Sequence, residues 1–159
     1  MLTPQEKAKV EQALEEMGPL LNEDRSKEYS SDDLSLLYSV AYTLYQGGDY
    51  DDAIPVFERL ASHQPFSQKN WVGLAACWQM KKDTQEALKA WAMASIIDDR
   101  DPLPHFHAAE CYFTLGNEEE GRKAIAACRK LITREHPHLH VKLDDLEASW
   151  KQEAHQKGA

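Results

Sequence analysis

Several side-chain slots recur every 34 residues, and that period constrains the fold more than any other feature of the chain. Ala41, Ala75 and Ala109 share one slot, and Ala53, Ala87 and Gly121 share a second. Bulky residues share two more: Leu44, Trp78, Tyr112 and Phe57, Trp91, Ile125. Asp49, Asp83 and Asn117 mark a turn inside each unit. A helical hairpin of this size cannot bury its apolar face alone. Such units stack, and the stack curves to give a concave inner surface. The small slots let the two helices of a unit approach closely, and the large ones fill the space around them.

The period is that of tetratricopeptide repeats. The expected fold is all-α: a solenoid of three helix–turn–helix units, preceded by an N-terminal helix and closed by a C-terminal capping helix. As a single domain over 1–159, it divides into a helix and linker at 1–31, repeats at 34–67, 68–101 and 102–135, and a cap and tail at 136–159. Thr3-Pro4-Gln5-Glu6 has the form of a helix start, with a Thr cap and Pro at the first helical position. Ser30-Ser31-Asp32-Asp33 caps the first helix of the first repeat. Pro55 falls inside the second helix of that repeat, which predicts a late start or a kink there. Leu139, Leu143, Leu146 and Trp150 line one face of the closing helix, and a frayed tail is expected from Gln152.

Composition narrows the function. The 159 residues carry a net charge of −9. That disfavours a phosphate backbone as partner, because such binding relies on Lys and Arg neutralising phosphates, and it disfavours an anionic membrane surface. No apolar run approaches the roughly 18 residues of a membrane span. The start, MLTPQEKAKVEQ, is polar and not a signal peptide. A cytosolic location without nucleic acid or stable membrane insertion is expected. The three Cys residues, Cys77, Cys111 and Cys128, fall in repeat slots held elsewhere by Thr43, Leu60 and Ala94, so they read as small packing residues.

The inner curve is read from the first-helix positions left over once the packing slots are assigned. They are Tyr38, Tyr42, Tyr45 and Gln46 in the first repeat, Lys69, Val72, Ala76, Gln79 and Met80 in the second, and Leu103, Phe106, Glu110 and Phe113 in the third. Tyr38, Tyr42 and Tyr45 stand at i, i+4 and i+7, on one helix face. Val40, Leu44 and Phe57 are expected to fill the core of that repeat. The phenols are then surplus, and surplus aromatics mark a recognition surface. Inner helices roughly 8–10 Å apart span about 20 Å, the reach of about six extended residues. An extended peptide fits such a groove, its backbone bonded to Gln46, Gln79 or the phenol hydroxyls.

No constellation for catalysis stands out. His136, His138 and His140 form an HxHxH run, but Pro137 interrupts it, and no metal site is assigned. His105 and His107 flank Phe106 without a nucleophile and an orienting group in sequence reach. There is no phosphate-binding glycine loop, no HExxH and no CxxC. The chain is expected not to be an enzyme and to need no cofactor.

The stretches LYSVAYTLYQGGDYDDAIPVF (37–57), WVGLAACWQM (71–80) and DPLPHFHAAEC (101–111) together resemble the class II chaperones of bacterial type III secretion, the tetratricopeptide chaperones of hydrophobic translocator proteins. The resemblance covers about 33–133. It implies a non-enzymatic cytoplasmic chaperone that binds an extended translocator segment in its concave groove and keeps the translocator soluble and secretion-competent. Tyr38, Tyr42, Tyr45, Gln46 and Tyr50 match the family's groove positions. The resemblance also implies a homodimer formed through the N-terminal region, with Val10, Leu14, Met17 and Leu21 as candidate contacts. The chain departs from the family pattern at Met17-Gly18-Pro19-Leu20-Leu21 and at Pro55. The rival expectation is a tetratricopeptide adaptor that regulates transcription or apparatus assembly through its convex face or capping helix.

Overall fold

The structure, a computed structural model, describes residues 28–158 together with Pro4, Gln5 and Ala8. Those three isolated residues are helical, and Thr3, the expected cap, lies outside the described residues. The candidate contacts Val10, Leu14, Met17 and Leu21 lie outside the described residues. The described segments are all-helical: α1 (Ser31–Gly47), α2 (Tyr50–His63), α3 (Gln68–Met80), α4 (Thr84–Ile97), α5 (Leu103–Thr114), α6 (Glu118–Leu131) and α7 (Leu139–Lys157). They form two compact units, divided between Asp99 and Arg100.

Local chemistry sets the ends of the helices. Ser30 Oγ accepts from the Asp33 amide at 3.1 Å, and Asp33 Oδ2 accepts from the Ser30 amide at 3.0 Å, a reciprocal cap on α1. Asp83 and Asn117 accept from the amides of Glu86 and Glu120 and open α4 and α6 with a one-way side-chain cap. Each hairpin turn needs one left-handed residue, and these recur in register: Gly48 (φ 84°), Lys82 (φ 62°) and Gly116 (φ 74°). Glycine takes that conformation without Cβ strain, whereas Lys82 does not.

In the first unit, α1 and α2, and then α3 and α4, close against each other on fully buried Ala41, Ala53, Ala75 and Ala87. Phe57 drives into α3 at Gly73, where a Cβ would lie 2.2 Å from its ring. Burying such a ring contributes about 1.5–3 kcal/mol. The α2–α3 link is clipped by two polar contacts. The fully buried Asn70 donates to the Leu60 carbonyl at 3.3 Å, and the Trp71 indole donates to the Pro65 carbonyl at 2.8 Å.

Three details differ from the sequence-based expectations. α2 begins at Tyr50, ahead of Pro55, whose ring lies on the exposed side. Val40 is exposed and Leu44 only half-buried, so the core of this hairpin rests on Ala41, Ala53, Ile54 and Phe57 instead. The closing helix α7 does not stop near Gln152 but continues to Lys157.

In the second unit, α5, α6 and α7 enclose Phe106, Ala109, Phe113, Ala124, Ile125, Cys128, Leu139 and Leu143. Leu146 and Trp150 pack against that cluster, so the stripe predicted for the closing helix meets an apolar surface. Arg129 on α6 ties α7 down, with Nη2 2.7 Å from Asp144 Oδ1. Cys77, Cys111 and Cys128 are all free and buried. Burial pushes their thiols up to about 11, about 12 and about 11 respectively, which keeps them protonated and inert at neutral pH.

Candidate peptide-binding site

From Leu34 to Gly48 the chain has no charged side chain, although 28% of its residues are charged. α1 therefore presents an uncharged surface wherever it is not packed. On its inner side, Tyr38 and Tyr42 stack with ring centroids 6.4 Å apart and planes at 9°. Tyr38 also meets Phe57 edge to face at 6.0 Å, so the core positions the first ring and the first ring supports the second. Tyr45 leans on Tyr50 at 5.7 Å. The expected phenol face thus forms, extended by the Tyr50 ring from α2.

The four rings are not equally open. Tyr42 is 47% exposed, while Tyr38, Tyr45 and Tyr50 are half-buried. Burial, and then the neighbouring Tyr42 phenol, raises the Tyr38 hydroxyl above the ordinary value; burial and then Tyr50 do the same to Tyr45. Both hydroxyls therefore remain protonated donors at neutral pH. Gln46 is exposed at the C-terminal end of α1.

Helix α3 borders this face. Its Lys69 places Nζ 4.3 Å from the centre of the Tyr38 ring, a cation over a π face. Val72 and Ala76 are half-buried, and Met80 is 53% exposed. Gln79 is committed elsewhere: its side-chain oxygen accepts from the Trp91 indole at 2.8 Å. That contact holds the amide against α4. Tyr42 and Met80 are the widely exposed apolar members of the face, and Lys69 adds a cation beside it.

The third repeat corrects the sequence reading. Phe106 and Phe113 were expected on an open inner surface, but they are 8% and 6% exposed. Phe113 stacks on Trp150 of α7 at 4.9 Å, with the planes at 21°. Its ring also fills the space over Gly121, where a Cβ would come within 2.5 Å of it. Both phenylalanines are core residues of the second unit. Glu110 remains half-exposed and bonded to His107, Oε2 to Nδ1 at 2.7 Å. The third-repeat candidates do not gather into an open aromatic face.

Sequence reasoning missed two contacts. Lys69 was placed on the inner side, but its seat over Tyr38 was not foreseen. The cover that α7 gives Phe113 had a signal in the glycine at 121, where the other repeats have alanine and where an oversized neighbour needs room.

A sequence profile described as "Anaphase-promoting complex, cyclosome, subunit 3" matches residues 46–128. The Yersinia pestis "Low calcium response locus protein H" is 35% identical over 105 residues, 66% of this chain and 62% of that protein. The match therefore spans less than two thirds of the relative's own length. Among solved structures, the Yersinia enterocolitica type III secretion chaperone SycD, in complex with a peptide of the translocator YopD, is 30% identical. The likeness covers 80% of this chain and 99% of that one, with a TM-score of 0.74. PcrH from Pseudomonas aeruginosa is 26% identical, covering 81% and 99%, with a TM-score of 0.73.

Proposed function

The chain belongs to the class II chaperones of type III secretion, and from that premise we propose that it binds an extended segment of a hydrophobic translocator. The segment lies along the inner face of α1 and α3, with Tyr38, Tyr42, Tyr45, Gln46, Tyr50, Val72, Ala76 and Met80 as its contacts. The observation that carries this reading is the uncharged phenol row with Tyr42 and Met80 left open to water beside it. The related SycD was solved with a translocator peptide bound.

The mechanism is shielding, and it needs no covalent chemistry. An apolar stretch of cargo exchanges water for ring faces and the Met80 thioether, while its backbone amides are met by phenol hydroxyls and Gln46. Tyrosine suits this use because a large rigid area is immobilised at low entropic cost. Ordering an extended chain offsets much of the gross gain, so the complex is reversible, as release for export requires. We place this activity in the bacterial cytoplasm, before secretion.

The test is co-expression of the tagged chain with its translocator. Tyr42→Ala combined with Tyr45→Ala leaves helicity intact by circular dichroism and abolishes co-purification. Undiminished retention of the translocator by the double variant would move the cargo site to another face. The adaptor reading predicts that outcome.

A further inference from the structure

Between α5 and α7 the second unit leaves a hollow of about 260 Å³. Phe113 and Leu146 line its apolar side together with the Trp150 indole, which stacks on the Phe113 ring. Two carboxylates border it, Glu110 from α5 and Glu153 from α7. Glu110 also meets His107 Nδ1 through Oε2 at 2.7 Å, which steadies its carboxylate. Thr114 and Ser149 supply the other polar side chains, and the protons of both hydroxyls are spent inside their own helices. Thr114 Oγ1 donates to the Glu110 carbonyl at 2.9 Å, and Ser149 Oγ donates to the Asp145 carbonyl at 2.7 Å. Their oxygens face a ligand only as acceptors. The Trp150 indole N–H is buried and lies beside Glu118, whose carboxyl is held below its ordinary value first by a hydrogen bond from Arg122 and then by this indole. The polar side chains of the hollow thus offer acceptors, and its aromatic wall offers a negative π face.

Acceptors gathered around an aromatic face are complemented by a flat cation rich in donors. A guanidinium group carries five N–H donors and no acceptor, and it stacks on indole rings. An apolar side chain in the same place would desolvate the carboxylates without compensation, and an acidic one would be repelled by them. The net charge of −9 draws cations toward the chain as a whole. We infer that the hollow between α5 and α7 is a recognition site of its own and takes an arginine side chain of a partner protein. The guanidinium lies against Trp150 and donates to Glu110 and Glu153, which reach it from different helices. The site is built by the second unit alone. The inference therefore does not depend on the cargo assignment made for α1 and α3, and its test uses the full chain without translocator.

The chain has 4 Trp residues, so their indole N–H resonances in a nitrogen-15 NMR spectrum can be followed one by one. Trp71 and Trp91 donate to Pro65 and Gln79 inside the first unit and serve as references. The probe is N-acetyl-arginine amide, and N-acetyl-citrulline amide is its uncharged counterpart of the same shape, both added at constant ionic strength. The arginine probe is expected to shift the Trp150 resonance saturably, in the millimolar range because one side chain covers little surface, and to leave Trp71 and Trp91 in place. The citrulline probe leaves all of them in place. Glu153 is exposed near the end of α7, so its replacement spares the core. Glu153→Gln weakens arginine binding about two- to fivefold, the range of an exposed ion pair, and Glu153→Lys abolishes it, both with unchanged helicity. A Trp150 resonance that the arginine probe does not move, that citrulline moves as far, or that responds with the same affinity in Glu153→Lys overturns the inference.

Discussion

Tyr45 of α1 and Phe113 of α5 occupy the same repeat slot, and they meet opposite fates. Phe113 is covered by Trp150 and seated over Gly121. Tyr45 leans on Tyr50 and keeps contact with water. The slots of Tyr38 and Phe106 repeat the contrast: a phenol half-open on α1, a hydrocarbon ring inside the core on α5. The repeat geometry fixes where a side chain points but not what lies over it. Residue chemistry records the difference. Where the chain's own α7 supplies the cover, the ring has no hydroxyl. Where no described part of the chain covers the face, the ring carries a polar handle that tolerates water until something displaces it.

This contrast can be broken or sharpened by substitution. The largest effect is expected at the covered ring: Phe113→Ala removes a buried aromatic and strands Trp150, costing about 3–5 kcal/mol in denaturant unfolding of the intact chain. A loss of stability no greater than that of a surface change would show that α7 does not hold the ring. Next is Gly121→Ala, which puts a methyl group into the Phe113 ring and is expected to cost about 1–3 kcal/mol by overpacking. The same slot holds alanine at 53 and at 87 in the other hairpins. Smaller still, and opposite in sign, Lys82→Gly relieves the one of the three hairpin turns described whose left-handed residue is not glycine. It should stabilise by about 0.5–1 kcal/mol, read as a higher denaturant midpoint at unchanged slope. Smallest is Tyr42→Ala, which should change stability by less than about 0.5 kcal/mol because the ring is exposed in the free chain. A large stability cost there would mean that the phenol is structural and not reserved for cargo.

Much of the fold was legible because a 34-residue period repeats the same physical requirements. Alanine at 41, 75 and 109, alanine or glycine at 53, 87 and 121, and capping side chains at 83 and 117 mark sites where only small or capping residues fit, whereas Asp49 holds the matching slot without a side-chain cap bond. These set the helix boundaries to within a residue or two. Legibility failed where a residue's surroundings come from outside its own hairpin. Nothing in the register of Phe106 or Phe113 says that a helix beginning some thirty residues later lies over them. Nothing in the register of Val40 says that its side of α1 is left without a neighbour among the described residues. The phenol row was readable because its spacing alone puts it on one face; the seat of Lys69 over Tyr38 depends on how α3 lies beside α1, which spacing does not encode.

The central claim is that the inner face of α1 and α3 is where cargo binds, and methionine oxidation tests it most directly. Met80 is widely exposed beside the tyrosines, while Met93 on α4 is buried and serves as an internal reference. Brief peroxide treatment followed by peptide mass mapping measures both in the free chain and in its complex with a translocator segment. The account predicts that bound cargo sharply slows sulfoxide formation at Met80 and leaves Met93 unchanged. Equal oxidation of Met80 in the free and cargo-bound chain would contradict it.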